Sequence, residues 1–227
     1  MSVRQKENKP MHNEVAKILQ NAQARFADWL SRYEPWHGNN CITERNLTFQ
    51  FATALLSLYP NALAFMEVPF ATTTDGHCRY HLDAYFHTIE FDLLLECKRV
   101  YGQTHIQSVV DDIRRIEDGL LVRQIKERHV DKDKKPNRTH GVVLAEAWDQ
   151  KTADWWRDKD HSTTRPGWSK ADLPDSWHYD FVKVFTVKDK TEWTLFWLYG
   201  VSPELTMPSQ RRESKRVNAP NIKKKNK

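Results

Sequence analysis

The opening part of the chain repeats apolar and polar positions with the period of an α-helix. Between residues 12 and 33, apolar side chains recur every three or four positions from Val15 to Leu30, and the other positions are polar. A second helix with one apolar face is predicted over 44–58, where Thr43 can act as the N-cap residue. We therefore expect two helices that pack on a common core.

The rest of the chain consists mostly of short apolar runs separated by turn residues, a pattern typical of β-strands. The predicted strands cover residues 62–70, 79–86, 91–100 and 141–148, and a hairpin covers 177–187 and 191–201. The predicted helices cover 105–118, with 120–128 as its extension or a further helix, and 149–160, while 129–140 and 161–176 are predicted loops. This order predicts an α/β fold in which a mixed sheet is flanked by helices, with an N-terminal helix and a C-terminal β-hairpin.

The basic charge of the chain is concentrated at its C-terminal end. The whole chain carries 35 Lys and Arg against 30 Asp and Glu, a formal net charge of +5. Residues 211–227 hold eight of the basic residues and one acid, so the remaining 210 residues hold 27 basic and 29 acidic groups, a net charge of −2. Residues 204–227 are therefore predicted to be a disordered polybasic tail that can neutralise nucleic-acid phosphates.

Between a disordered N-terminus, residues 1–11, and this tail, the length predicts a single domain over 12–203. The sequence has no apolar run long enough to span a bilayer and no apolar signal-peptide core, so we expect a cytoplasmic protein without membrane association. Seven of the nine tryptophans lie between residues 148 and 197. They could stack on bases, but core packing is the favoured interpretation.

The candidate chemistry is concentrated in residues 79–99, where an Asp-bearing strand precedes a strand that ends in Glu96-Cys97-Lys98. Side chains of a strand alternate between its faces, so Glu96 and Lys98 share one face and Cys97 points into the core. If the two strands are neighbours, Asp83 lies beside Glu96. Two carboxylates and an ammonium group would then meet at one edge of the sheet, and such a cluster can hold a divalent metal and orient a water molecule.

The triplet pattern is informative only through its context. An acidic residue two positions before a lysine occurs five times in the chain. Of these, Asp149-Gln150-Lys151 is the one real competitor, because it follows a predicted strand. Only Glu96 ends an apolar strand that has an Asp-bearing strand before it and a helix after it.

These residues, together with the order of elements around them, resemble the PD-(D/E)xK nuclease superfamily. The match covers roughly residues 43–148, with Leu82 in the place of the proline before the aspartate. The resemblance implies a restriction-endonuclease-like αβββαβ core over this span, and residues 149–203 would then be a Trp-rich C-terminal extension.

The resemblance also implies an activity, the hydrolysis of phosphodiester bonds with Mg²⁺ or Mn²⁺ as the cofactor. Asp83 and Glu96 would be metal ligands, and the backbone carbonyl of Cys97 would supply a further oxygen. Lys98 would stabilise the nucleophile or the charge that develops on the phosphate.

Members of this superfamily often place an acidic residue on the helix before the first strand. Glu44 is the candidate here, so it is predicted as a third catalytic acid. The alternative is that its carboxylate interacts with the helix N-terminus. Glu67, near the end of the first strand, is a rival candidate.

Three residues are candidates for substrate binding, namely Gln107 and Arg114 on the helix after the triplet and Lys224 in the tail. For the helix, the favoured alternative is a solvated, salt-bridged face formed by Asp111, Asp112, Arg114 and Arg115.

The first functional hypothesis is a metal-dependent nuclease that acts on nucleic acid, with DNA favoured over RNA. Cutting both strands with one site per chain would favour a homodimer. The alternative is a catalytically inactive nuclease-like scaffold that binds nucleic acid or a protein partner, and a third hypothesis is an assembly protein with a Trp-rich partner surface.

Overall fold

The computed structural model describes residues 10–32, 44–71, 78–100, 103–129, 137–158, 173–188 and 192–206. Within them the chain forms five helices and six strands. The helices are α1 (Met11–Arg32), α2 (Glu44–Leu58), α3 (Gln103–Glu117), α4 (Leu120–His129) and α5 (Gln150–Asp158). The strands are β1 (Leu63–Ala71), β2 (Cys78–His87), β3 (Phe91–Arg99), β4 (Arg138–Ala147), β5 (His178–Lys188) and β6 (Glu192–Glu204). The predicted order of helices and strands is confirmed.

The six strands form one mixed sheet in the order β1-β2-β3-β4-β6-β5. Strands β3 and β4 run parallel, and every other neighbouring pair is antiparallel. Because β4 pairs with both β3 and β6, it joins the first three strands to the C-terminal hairpin. The predicted mixed α/β sheet flanked by helices is therefore confirmed.

Helices cover both faces of the sheet. On one face, α1 and α2 pack against inward-pointing residues that include Leu93, Leu95 and Cys97 of β3. On the other face, α3, α4 and α5 pack against Leu94 of β3 and its neighbours in β4 and β6. The alternation predicted for β3 is therefore confirmed, and its polar end carries Glu96 and Lys98 toward the face covered by α3.

The helix boundaries follow from local backbone chemistry. Gly119 has a φ of 72°, a left-handed conformation that glycine adopts without a steric penalty, and it separates α3 from α4. The Asp149 carboxylate accepts the backbone N–H of Thr152 at 2.9 Å and so caps the start of α5. This capping role accounts for the acidic residue of the competing Asp149-Gln150-Lys151 triplet.

Three predicted boundaries are corrected. Strand β4 begins at Arg138 rather than at residue 141, because its parallel pairing with β3 already starts at Phe91 and Arg138. Met11, predicted to be disordered, is the first residue of α1 and is buried. Glu204, assigned to the tail, lies in β6. Residues 1–9 and 207–227, which include the basic cluster, lie outside the described residues.

The tryptophans that the structure describes favour the core interpretation. Four of them are almost completely buried: Trp155, Trp156, Trp177 and Trp197. They lie in the hydrophobic clusters on the two faces of the sheet, so they hold the C-terminal elements to it. No helix formed by the described residues is long and apolar enough to cross a membrane.

Candidate active site

The candidate site lies where β2 and β3 separate. Their antiparallel pairing runs from His87 and Asp92 to Ala84 and Leu95 and goes no further. At the next position, the Asp83 carboxylate accepts the backbone N–H of Cys97 at 2.7 Å. A side-chain oxygen thus takes the place of a strand partner, and it holds Asp83 in the gap between the two strands.

This hydrogen bond also orients the backbone of Cys97. In an extended strand, the N–H and C=O of one residue point to the same side. The Cys97 carbonyl therefore faces β2 and Asp83, as the sequence hypothesis requires of a carbonyl ligand. The Cys97 thiol is buried among the apolar residues on the α1 and α2 face, which confirms its assignment to the core.

The regular alternation of side chains between the two sheet faces is interrupted at Asp83 on β2. The backbone is also irregular at Glu67, which lies across from Asp83 on β1. Leu82 and Tyr85 are three residues apart, yet both pack in the cluster under α3. Glu67 has a φ of 51°, a left-handed conformation that is rare for a residue with a side chain. Unusual backbone conformations of this kind tend to occur at functional sites, and here one lies directly opposite a candidate ligand.

Asp83 and Glu96 bring two carboxyl groups into contact. Burial raises the pKa of Glu96 to about 8, and the charge of Asp83 and a hydrogen bond between the two groups add to that shift. Burial likewise raises the pKa of Asp83. Two carboxyl groups that are close enough to hydrogen-bond favour a shared proton or a shared cation between them. The pair therefore fits the oxygen chemistry that a hard divalent cation requires.

Lys98 lies beside this pair but is bonded elsewhere. Its Nζ is 3.0 Å from an Asp112 carboxylate oxygen, and no other described carboxylate lies within 4.0 Å of that nitrogen. Its charge nevertheless lowers the pKa of both Asp83 and Glu96, against the larger effect of burial. Lys98 therefore acts on the carboxyl pair through its charge, while its ion pair is with Asp112.

Asp112 and Arg115 complete this charged cluster, although the interpretation favoured for both from the sequence was a solvated, salt-bridged helix face. Asp112 is 1% exposed and pairs with both Lys98 and Arg115. Arg115 also reaches Glu96, at 3.9 Å, and lies over the Tyr80 ring at 5.2 Å from its centroid. The favoured hypothesis of a solvated helix face is therefore wrong for Asp112, because packing of α3 on β3 buries it.

Gln107 and Arg114 point away from this cluster. The Gln107 side-chain amide donates to Asp111 at 3.0 Å, and Arg114 lies 3.6 Å from the same carboxylate on the exposed side of α3. The salt-bridged face predicted for this helix is formed by these residues. Lys224, the third substrate-binding candidate, lies outside the described residues.

Glu44 reaches the site from the other face of the sheet. As the first residue of α2, it accepts the backbone N–H of Arg99 at 3.2 Å, one residue after Lys98. Its charge also raises the pKa of Asp83. Glu44 is therefore near the carboxyl pair, but the acceptor role that the structure shows is to fasten α2 to β3.

A further buried carboxyl group, Glu146, interacts electrostatically with Glu44. Glu146, at the end of β4, is 1% exposed, and its carboxylate accepts the Trp148 indole N–H at 2.7 Å. Arg99 lies 3.9 Å from the same oxygen, and burial raises the Glu146 pKa. An acidic residue within an apolar strand was the available sequence signal for this group.

No group of three or more His, Cys, Asp or Glu side chains that could hold a metal ion occurs in the part of the chain that the structure describes. The oxygen atoms near the gap between β2 and β3 belong to the Asp83 and Glu96 carboxyl groups and to the Cys97 carbonyl, while the Glu44 carboxylate accepts the backbone N–H of Arg99.

Comparisons of this chain with protein-family models, with curated proteins and with solved structures find no match.

Proposed function

We propose that this protein is a metal-dependent nuclease that hydrolyses phosphodiester bonds, with DNA as the favoured substrate. One observation carries the proposal: two carboxyl groups on adjacent strands, the buried Glu96 and the partly buried Asp83, interact with each other and with the charge of Lys98. A carboxylate pair can hold the metal ion that such hydrolysis uses, and a nearby lysine can stabilise the charge that develops.

The arrangement of elements supports the same proposal. The run from α2 to β4 has the order αβββααβ, with Asp83 on its second strand and Glu96 and Lys98 on its third. If α3 and α4, separated only by Asp118 and Gly119, together take the place of one helix, the order becomes αβββαβ. This is the order expected for a restriction-endonuclease-like core of the PD-(D/E)xK type. Strands β5 and β6 would then extend that core by pairing with β4.

In this proposal Asp83, Glu96 and the Cys97 carbonyl hold Mg²⁺ or Mn²⁺. Such a cation, when bound, polarises the scissile phosphate and lowers the pKa of the attacking water. Lys98 places a positive charge beside the same point and stabilises negative charge that develops on the phosphate. Glu44 supports the site from the opposite face by holding the backbone at Arg99.

The charge of the cluster favours a divalent cation. Asp83, Glu96 and Asp112 contribute three negative charges when ionised, and Lys98 and Arg115 contribute two positive charges. The charge of Glu44 also acts on Asp83 and makes the surroundings more negative. Negative charge disfavours a phosphodiester anion, and a divalent cation reduces it. Metal binding would therefore precede or accompany substrate binding.

The proposal is tested by incubating the purified protein with plasmid, linear and single-stranded DNA, and with RNA, in Mg²⁺, in Mn²⁺ and in a chelator. We expect cleavage that requires the metal. Removal of a charge-stabilising group typically lowers turnover by about 10²–10³-fold, so we expect a loss of that size for Lys98→Met and also for Asp83→Asn.

The matched control is Lys151→Met, which removes the exposed lysine of the competing triplet and should leave cleavage unchanged. Cleavage by Lys98→Met at the wild-type rate would contradict the proposed mechanism. Salt-sensitive DNA binding without metal-dependent cleavage would instead support the alternative of an inactive nuclease-like scaffold.

A further inference from the structure

Lys98 lies near the Asp83 and Glu96 carboxyl groups, but its ammonium group pairs with a third carboxylate, that of Asp112. The Asp112 side chain is 2% exposed and that of Lys98 is 25% exposed, so the pair lies between the sheet and α3. A buried carboxylate without a partner is strongly unfavourable, so Asp112 holds a cation firmly. The Lys98 ammonium is therefore drawn toward α3 and away from the gap between β2 and β3.

Without Asp112, the nearest negative charges would redirect this ammonium group. Asp83 and Glu96 both interact electrostatically with Lys98 in the structure. A flexible four-carbon side chain whose partner is removed can turn to these carboxylates and form a direct ion pair with them. Such a pair would occupy the same oxygens that a divalent cation needs.

The neighbouring arginine is restrained in a second way. Arg115 also pairs with Asp112, but its guanidinium lies over the Tyr80 ring, 5.2 Å from the centroid. Stacking on an aromatic ring restrains its planar group even when one ion pair is removed. Lys98 is thus the cation whose position depends most directly on Asp112.

We propose that Asp112 is a positioning residue that keeps the Lys98 ammonium apart from the Asp83 and Glu96 carboxylates, so that these two groups stay available to a divalent cation. This inference rests on the proposed metal site but not on the cleavage reaction. It differs from a purely structural role for Asp112, because it links Asp112 to metal affinity through one specific side chain.

The test is a double-mutant cycle on Mn²⁺ affinity, measured by calorimetry with the full-length protein and no nucleic acid. Loss of a residue that orients metal ligands typically lowers affinity by about 10–100-fold. We expect Asp112→Asn to weaken Mn²⁺ binding by about tenfold. In a Lys98→Met background the same substitution should change affinity by less than about threefold, because the competing ammonium is gone.

The matched control is Asp111→Asn, the adjacent acid on the exposed side of α3, which should leave Mn²⁺ affinity unchanged. If Asp112→Asn does not fold, as judged by circular dichroism, Asp112→Glu replaces it in the same cycle. The longer side chain keeps the charge but moves Lys98 toward the carboxylates, so a smaller loss that also disappears with Lys98→Met is expected.

An equal loss of affinity in both backgrounds would overturn the inference, since Asp112 would then act on the metal directly or through its charge alone. A wild-type protein that binds no Mn²⁺ would overturn it as well. If the coupling is found but no nucleic acid is cut, the nuclease proposal fails and the positioning role stands. If DNA is cut but the two substitutions act independently, only the positioning role fails.

Discussion

Glu96 has surroundings that favour the neutral form of its carboxyl group. Burial is the largest cause, and the charge of Asp83 adds to it, while Lys98 and Arg115 oppose it. The resulting pKa of about 8 means that, without a cation, the folded protein retains a proton that the unfolded chain releases near pH 4.5. A metal ion would displace that proton.

The stability of the metal-free protein should therefore fall as pH rises from about 4.5 to about 8. In this window the native state binds more protons than the unfolded state, so the free energy of unfolding decreases with pH. Glu96→Gln, which is neutral at every pH, lacks this decrease. We expect the two proteins to be similar near pH 4.5 and the variant to be more stable by a few kcal/mol near pH 8, since one pKa unit corresponds to about 1.4 kcal/mol.

Urea unfolding at several pH values, in the presence of a chelator, measures this difference. Saturating Mg²⁺ should stabilise the wild type at pH 8 and leave Glu96→Gln less affected. Parallel stability curves for the two proteins would show that Glu96 ionises normally.

Among the elements, strand β1 has an irregular backbone conformation at Glu67, beside the candidate site. Glu67 adopts a φ of 51° opposite Asp83, and its ion pair with Arg45, at 3.7 Å, is largely exposed. An exposed pair of this kind contributes little stability, so it does not account for the backbone conformation. Glu67 therefore lies beside Asp83, which a hydrogen bond holds in the gap between β2 and β3.

Substitution by glycine should affect the stability of the protein differently at Glu67 and at its neighbour Met66. A left-handed conformation costs a residue with a side chain about 1–2 kcal/mol, and glycine avoids that cost. We expect Glu67→Gly to leave the free energy of unfolding unchanged or raise it by up to about 1 kcal/mol. The matched control, Met66→Gly, lies in regular, half-exposed strand and should lower stability by about 0.5–1 kcal/mol. Equal losses, measured by denaturant unfolding, would argue against a left-handed Glu67.

For the molecule as a whole, the C-terminal hairpin is part of the same sheet as the candidate site. Trp197 of β6 is 1% exposed and packs against Phe26 of α1 with ring centroids 5.3 Å apart. The N-terminal helix and the last strand therefore share one core. We infer that the chain from α1 to β6 unfolds as one cooperative unit.

Two tryptophans that contact the same phenylalanine test this inference. Trp197→Ala should destabilise the whole protein by about 3–5 kcal/mol, the usual cost of removing a buried aromatic ring. Trp29 is 47% exposed and stacks on Phe26 with ring centroids 5.6 Å apart. Its replacement by Ala should cost less than about 1 kcal/mol. Circular dichroism and fluorescence should report coincident transitions. A separate early transition in Trp197→Ala would mean that the hairpin unfolds independently.

The elements and the central carboxyl pair were predictable because their signals are local. Apolar periodicity identified α1 and α2, and alternation identified the two faces of β3. Asp83 and Glu96 could be paired because a tight connection joins their strands, which makes them neighbours in the sheet. The predicted start of β4 was late because Arg138 and Thr139 look like loop residues until they pair with β3.

The sequence by itself determined the order of the elements, the faces they bury and the two carboxyl groups and lysine of the candidate site. The tertiary structure alone decided that Asp112 is buried against Lys98, that Arg115 rather than Arg114 reaches Glu96, and that Glu67 is left-handed. The reason is physical. The periodicity of apolar residues is a local property of the sequence, whereas the burial of a charged group depends on which distant element covers it. A helix rich in Asp and Arg is therefore predicted to be exposed, although packing on a sheet can bury some of its charged residues.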